Sequence, residues 1–147
     1  MEGFLTLKGG SVELVCYKEE DRLFQFKIHL DDGRAAGFCD LRLSRSAEEF
    51  YIGNVGYSVF PDERGKGIGA KALALMCDFA FEKGEKYLMA CCKRDNTASK
   101  RTIEKCGGFF VDSRALPDFM ELRYGRHTVD RYKIALPVRD DLKRRLI

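Results

Sequence analysis

The first third of the chain alternates apolar and polar residues, which is the pattern of strands with one buried face. Three segments show it, at residues 11–17, 22–30 and 34–43. Asp31-Asp32-Gly33 lies between the second and third segments and is typical of a hairpin turn. Only residues 18–21 separate the first segment from the second. The pattern therefore predicts antiparallel strands joined by short turns, with no helix between the first two.

A fourth strand is predicted at residues 50–60, and it contains Gly53 and Gly56. A glycine within a strand often marks a bulge or a close approach by another group. Beyond this strand the period changes, because apolar residues between Ile68 and Phe81 recur at helical spacing. Lys83-Gly84 is a typical helix end, with a cation in the last turn and a glycine after it.

The rest of the chain alternates strands with one more helix. Residues 87–92 are almost continuously apolar, as in a strand buried on both faces. Asn96 can cap a helix that ends at Gly107-Gly108. The remaining predictions are strands at residues 109–112 and 129–136 and a hairpin-type connection at residues 117–126.

A glycine-rich loop lies between the fourth strand and the first helix. Residues 59–70 read V-F-P-D-E-R-G-K-G-I-G-A. Glycine permits tight turns, and the first N–H groups of a helix lack partners and carry partial positive charge. The loop is therefore a candidate phosphate site, with Arg64 and Lys66 adding formal charge.

Three loop types compete for this segment. A P-loop is rejected, because Lys71 is followed by Ala72 and not by the serine or threonine that would bind magnesium. The dinucleotide fingerprint is met formally by Gly65, Gly67 and Ala70, but that pattern should open near the first strand of a βαβ unit. The third type is R-x-x-G-x-G/A, which Arg64, Gly67 and Gly69 satisfy.

A second motif decides between them. Residues 96–109 read N-T-A-S-K-R-T-I-E-K-C-G-G-F, one helix, one turn and one strand after the loop. The two motifs together resemble the GNAT (GCN5-related) N-acetyltransferase family, over about residues 34–136. Gly107-Gly108 and the late R-Y-x-I at residues 131–134 resemble a bacterial subgroup of predicted acetyltransferases. The asparagine-to-serine spacing is also similar to that of ribosomal-protein N-terminal acetyltransferases.

The resemblance implies an α/β (α+β) GNAT fold. We expect a mixed, mostly antiparallel sheet with flanking helices and a splayed parallel pair formed by the fourth and fifth strands. Gly56 is then the candidate bulge of the fourth strand. The two helices that usually follow the first strand of the family are expected to be absent, because residues 18–21 leave no room for them. That absence leaves the acceptor pocket without one wall, unless a partner subunit supplies it.

The resemblance also implies acetyl-CoA as the cosubstrate and no metal. Backbone groups of the loop would hold the pyrophosphate, and backbone groups of Val59 and Phe60 would pair with the pantetheine arm. Asn96 would contact the same arm. The predicted cofactor-binding residues are Val59, Phe60, Arg64, Gly65, Lys66, Gly67, Ile68, Gly69, Ala70 and Asn96.

Departure of the thiolate is helped by a proton donor, such as a hydroxyl group. Many family members carry a tyrosine seven residues after the asparagine, but this chain has Ile103 there. The candidates are Ser99, Tyr57 and Tyr132. The function predicted is transfer of an acetyl group to a primary amine of a small molecule or a peptide. The alternative is a catalytically weak or inactive GNAT domain that binds CoA or a protein partner.

Composition narrows the remaining choices. The 147 residues suit one domain, predicted at residues 1–136 with a C-terminal tail at residues 137–147. A net charge of +3 is too small to indicate nucleic acid, and no apolar run is long enough for a membrane helix. Six cysteines without a C-x-x-C pair and only two histidines indicate no zinc site and a reducing, cytoplasmic location. A homodimer is a candidate assembly.

Overall fold

The structure is a computed structural model that describes residues 5–146. The strands are β1 Thr6–Gly9, β2 Val12–Glu20, β3 Leu23–Leu30, β4 Ala35–Arg42, β5 Val55–Val59, β6 Tyr87–Lys93, β7 Phe109–Ala115 and β8 Thr128–Ala135. The α-helices are α1 Glu49–Ile52, α2 Ile68–Glu82, α3 Thr97–Lys105, α4 Glu121–Tyr124 and α5 Asp140–Leu146. Short 3-10 helices span Pro61–Glu63 and Asp118–Met120.

The first five strands form one antiparallel sheet in sequence order. β2 passes into β3 through Asp21 and Arg22, whose φ angles of 49° and 63° are those of a type I′ hairpin turn. In the described part of the chain before α1 there is therefore no helix, as predicted. The sheet gains one strand that the sequence analysis did not predict, because β1 is an edge strand of only four residues, too short for its alternation to stand out.

α2 packs across this sheet and forms the centre of the core. Its stripe of apolar residues sets the orientation, since Leu73 and Met76 are fully buried against the sheet. Phe79 meets Phe24 and Phe26 edge to face, with ring centres 5.1 and 6.4 Å apart. Each such side chain stabilises the fold by roughly 1.5–3 kcal/mol through burial.

The last three strands form a second antiparallel sheet in the order β6-β8-β7. β5 and β6 are neighbours, but among the described residues no ladder joins them. They meet at an isolated bridge of antiparallel type between Gly53 and Ala90, just before β5 begins. The predicted splaying of the two strands is thus complete, because β5 and β6 belong to different sheets. The gap between them is closed only at the Gly53 end, and in the described residues the two strands are not joined by parallel hydrogen bonding.

Two details of the predicted fourth strand are wrong. Its first residues form helix α1, and the strand proper begins at Val55. Gly56 is not a bulge, because it pairs in regular register with Asp40. A Cβ at Gly56 would lie 2.5 Å from Arg42 Nη2 and 2.6 Å from Asp40 Oδ1, so the glycine makes room for that ion pair.

Residues 140–146 of the predicted C-terminal tail form helix α5. Helix α5 lies against α2, where Lys143 Nζ is 3.2 Å from Asp78 Oδ1. Val138 and Leu146 are buried in the core beside α2. The connection at residues 117–126, expected to be of the hairpin type, contains a 3-10 helix and α4.

Candidate active site

The glycine-rich loop presents an open cradle of backbone N–H groups. Gly65 and Gly67 have φ angles of 80° and 75°, in the region that favours glycine. These turns carry the chain into α2, which begins at Ile68. Within residues 5–146, no group accepts a hydrogen bond from the six N–H groups between Gly65 and Ala70. A helix start with unsatisfied donors and a positive dipole end is suited to a phosphate.

The two cationic side chains of the loop, Arg64 and Lys66, each already contact a neighbouring group. Arg64 Nε donates to the carbonyl oxygen of Val59 at 3.0 Å, which leaves its terminal nitrogens for other contacts. Lys66 Nζ lies 3.0 Å from Glu63 Oε2, and the same carboxylate also binds Arg34. The hydrogen bond from Lys66 and the charge of Arg34 lower the pKa of Glu63. Glu63 therefore stays ionised and orients Lys66.

A cavity of about 590 Å³ lies between this loop, β5 and α3. Most of the predicted site residues line it: Tyr57, Val59, Arg64, Gly65, Gly67, Ile68, Gly69, Ala70, Asn96 and Ser99. Phe60, Lys66 and Tyr132 are not among the lining residues. Two motifs far apart in sequence are thus brought to one cavity.

Phe60 does not line the cavity, because its backbone N–H faces β4. The Phe60 N–H donates to the Ala36 carbonyl at 2.8 Å, so it belongs to the sheet. Backbone groups in an antiparallel strand alternate in direction, and Gly56, Ser58 and Phe60 share the side that faces β4. The backbones of Tyr57 and Val59 consequently point away from β4, towards the split. The edge that can pair with an extended ligand is formed by Tyr57 and Val59 rather than by Phe60.

Two of the predicted catalytic residues are in direct contact. Tyr57 Oη and Ser99 Oγ are 2.8 Å apart, and Asn96 Oδ1 caps α3 by accepting from the Ser99 N–H at 3.1 Å. Burial raises the pKa of Tyr57 to about 12. The phenol is therefore protonated at neutral pH and can act as a proton donor. The cap of α3 sets the position of Ser99 and, through it, that of the tyrosine hydroxyl.

The third candidate, Tyr132, lies elsewhere. It is buried on β8 with its ring 5.7 Å from that of Phe110, edge to face. Its hydroxyl makes no hydrogen bond within the described residues. Ile103 is also buried, under the close approach of Gly108. The position of the common family tyrosine is therefore part of the apolar core in this chain.

Four further residues of α3 line the cavity and were not predicted from the sequence. Ala98, Arg101, Thr102 and Lys105 lie on the face of α3 that borders the cavity, together with Ser99. The helical period gave the signal, since residues three and four apart share one face of a helix. Extending it from Ala98 leads to Arg101 and Thr102 and then to Lys105.

Residues 5–146 contain neither a candidate metal cluster nor a candidate membrane-spanning helix. No group of three histidine, cysteine or acidic side chains there is placed to hold a metal ion. None of the helices in that part of the chain has the length and apolar character needed to span a membrane.

Comparison with known proteins agrees with the two motifs. A family model described as "Acetyltransferase (GNAT) domain" matches residues 10–108, more than half of the chain. The chain therefore belongs to the GNAT acetyltransferase family. A comparison with curated protein sequences found no match.

Solved structures share the fold at low sequence identity. A putative ribosomal-protein-serine acetyltransferase from Vibrio cholerae is 13% identical with a TM-score of 0.68, covering 92% of this chain and 99% of that one. A GNAT-family acetyltransferase from Bacillus anthracis is 13% identical with a TM-score of 0.69, covering 89% and 98%. The Microcin C7 self immunity acetyltransferase MccE, solved with acetyl-CoA and AMP, is 18% identical with a TM-score of 0.61, covering 78% and 62%.

Proposed function

We propose that the protein is an N-acetyltransferase that moves an acetyl group from acetyl-CoA to a primary amine of a small molecule or a peptide. The observation that carries the proposal is the row of six N–H groups from Gly65 to Ala70, which have no partner among residues 5–146 and lie at the mouth of the split between β5 and β6. Family membership supports acyl transfer, and this loop supports the choice of donor.

The residues of the cavity fit coenzyme A in two places. The loop N–H groups offer donors to a diphosphate, and Gly65 and Gly67 have open space beside their backbones. The edge formed by Tyr57 and Val59 offers two N–H donors and the Tyr57 carbonyl to the amides of the pantetheine arm, while the Val59 carbonyl already accepts from Arg64 Nε. Acetyl-CoA, when bound, supplies an acetyl group activated as a thioester. The presence of acetyl-CoA in the MccE structure, which has the same fold, supports this donor.

The Tyr57–Ser99 pair would supply the proton for the departing sulfur. In the transfer the amine nitrogen bonds to the acetyl carbon, the carbon–sulfur bond breaks and the nitrogen gives up a proton. Because burial raises the pKa of Tyr57 to about 12, its phenol is protonated at neutral pH and can donate a hydrogen bond to the sulfur as negative charge develops there. Ser99 orients the phenol through their 2.8 Å contact and can pass the proton on.

Glu63 is an unsuitable base in this scheme. It is the carboxylate that borders the cavity, but its contacts with Lys66 and Arg34 lower its pKa. A water molecule or a group on the acceptor side would take the proton of the amine. We place the acceptor on the opposite face of the sheet, where Ser58 of β5 borders a second cavity with Phe38 and Asp40.

The test is release of the CoA thiol with a panel of amines. Spermidine and a peptide that begins with serine belong in the panel, because a spermidine N-acetyltransferase and the putative ribosomal-protein-serine acetyltransferase, both from Vibrio cholerae, share this fold. We expect thiol release above background with at least one amine, and isothermal calorimetry should detect binding of acetyl-CoA. Binding of acetyl-CoA without release for any amine would favour the alternative, a GNAT domain that binds CoA without turnover. No binding at near-millimolar acetyl-CoA would reject both.

A further inference from the structure

Two cations on α3, Arg101 and Lys105, border the cavity proposed to bind acetyl-CoA, and neither has an acidic partner within residues 5–146. Arg101 and Lys105 both line the cavity and both are exposed. Among residues 5–146, no carboxylate forms an ion pair with either of them. Their neighbour Lys100 behaves differently, because its Nζ lies 2.8 Å from the buried Asp130. The unpaired cations of this helix are thus the two that face the cavity.

This placement does not serve the stability of α3. Like charges four residues apart on a helix repel each other. For Lys105 this repulsion is partly offset, because a cation in the last turn of a helix interacts favourably with the helix dipole. Arg101 has no such compensation in the middle of the helix. An anion bound between the two side chains would remove the repulsion.

The same part of α3 packs on the loop that offers the N–H groups. A Cβ at Gly69 would lie 3.8 Å from Thr102 Cγ2, and Cys106 Sγ is 3.5 Å from the Ala70 carbonyl oxygen. Arg101 and Lys105 each precede one of these contact residues. Both cations therefore flank the first turn of α2, beside the proposed diphosphate position.

We propose that Arg101 and Lys105 form a second anion subsite, which binds the 3′-phosphate of coenzyme A. The inference rests on the proposed function, because coenzyme A carries this phosphomonoester in addition to its diphosphate. A phosphomonoester has close to two negative charges at neutral pH, and a guanidinium can bind it through two parallel hydrogen bonds. The subsite would make the protein select coenzyme A over 3′-dephospho-coenzyme A.

Calorimetric titration with these two ligands tests the subsite without an acceptor. Wild-type protein should bind coenzyme A about 10- to 100-fold more tightly than 3′-dephospho-coenzyme A, as expected for charge-assisted hydrogen bonds. The double variant Arg101→Ala/Lys105→Ala should bind the two ligands equally. Its affinity for 3′-dephospho-coenzyme A should equal that of the wild type, which also shows that the variant is folded.

Two further variants sharpen the result. Arg144→Ala removes an exposed arginine of α5 outside the cavity and should leave the preference intact. Arg101→Gln keeps most of the side-chain stem and should lose most of the preference. A preference that is absent in the wild type, or that survives in the double variant, would overturn the subsite while leaving the donor assignment standing. Failure of the wild type to bind either ligand would overturn the donor assignment and the subsite together.

Discussion

The two ends of the split between β5 and β6 differ in how their polar groups are satisfied. At the closed end, Asn54 joins both sheets: its N–H and Oδ1 bind the backbone of Met89 at 2.7 Å each, and its Nδ2 donates to the Arg42 carbonyl at 2.9 Å. Arg42 Nη1 adds a bond to the Gly53 carbonyl at 2.8 Å. At the open end, the N–H groups of the loop have no partner among the described residues.

The difference separates architecture from binding. Buried or half-buried polar groups are normally hydrogen-bonded, and leaving one without a partner costs free energy. The closed end follows this rule through side chains and holds the sheets together. The open end leaves its donors for a ligand, and the open space at Gly65 and Gly67 keeps them accessible. Changes at the closed end should therefore affect stability, and changes at the open end should affect binding.

The largest effect is expected at the closed end, from Asn54→Ala. This change removes two side-chain hydrogen bonds and leaves the Met89 N–H and the Arg42 carbonyl without these partners, so we expect the free energy of unfolding to fall by about 2–4 kcal/mol. Urea denaturation measures it. Asn54→Asp keeps the acceptor for Met89 and should lose less. A loss near that of a surface substitution, about 0.5 kcal/mol, would contradict the structural role of this end.

The next effect is expected at the open end, from Gly67→Asp. A negative side chain in the cradle repels phosphate and blocks the N–H groups, so affinity for acetyl-CoA should fall by about 100-fold or more, as for an unpaired charge at a binding site. Gly84→Asp is the matched control, because Gly84 also has a positive φ, 95°, with open space around it, at the far end of α2. Calorimetry should find its affinity unchanged. Equal affinities for the two variants would refute the phosphate loop.

A third effect concerns the rate of acetyl transfer and the hydroxyl group of Tyr57, which lies between the two ends of the split. Tyr57→Phe removes the hydroxyl that contacts Ser99, so we expect kcat to fall by about 10- to 100-fold with any amine that supports turnover. Affinity for acetyl-CoA should be unchanged. Tyr132→Phe is the control, because the Tyr132 hydroxyl makes no hydrogen bond in the described part of the chain, and its kcat should match the wild type. A loss confined to Tyr132→Phe would exchange the roles of the two tyrosines.

The raised pKa of Tyr57 adds a pH dependence to the same comparison. Because burial raises this pKa to about 12, the phenol remains protonated across the range in which the protein is assayed. The rate should therefore rise or stay level as the pH increases from 7 to about 9.5, where an ordinary tyrosine with a pKa of about 10 would begin to lose its proton. A fall in kcat over that range that Tyr57→Phe abolishes would show that the phenol titrates earlier.

The smallest effect is expected from Asn96→Ala. The side chain caps α3, and loss of such a cap costs about 1 kcal/mol. Affinity for acetyl-CoA should fall only modestly, because Ser99 shifts with the helix start. Asn96→Ser restores a capping oxygen and should recover the stability but not a contact made by the amide itself. Full recovery of both stability and affinity would make Asn96 a cap alone.

The sequence was sufficient to predict those strands, helices and site residues that depend on local patterns of residue types. The alternation of residues 11–43 and the helical stripe after Ile68 follow from burial of one face, and the loop and Asn96 were recognised from residue types at fixed spacing. Helix α1 was missed because Glu49–Ile52 is a single turn, too short for a period to be seen. Gly56 was misread because its neighbour, the Asp40–Arg42 pair, lies on another strand.

Contacts between distant segments were beyond the sequence. Tyr57 and Ser99 were separate candidates, and only the packing of α3 beside β5 brings their hydroxyls to 2.8 Å. The direction of the Phe60 N–H depends on the register of β4 and β5, which the strand pattern alone does not set. Arg101 and Lys105 became visible as a pair once the cavity showed which face of α3 borders it.

The most direct test of the open end as the acetyl-CoA site is an NMR titration of ¹⁵N-labelled protein with acetyl-CoA. The amide resonances of residues 65–70 and of Tyr57 and Val59 should shift most as ligand is added, because these N–H groups gain hydrogen-bond partners. Resonances at the closed end, such as those of Asn54 and Met89, should shift little. Saturable shifts that leave residues 65–70 unaffected, or no shifts at near-millimolar ligand, would contradict the assignment of the open end as the donor site.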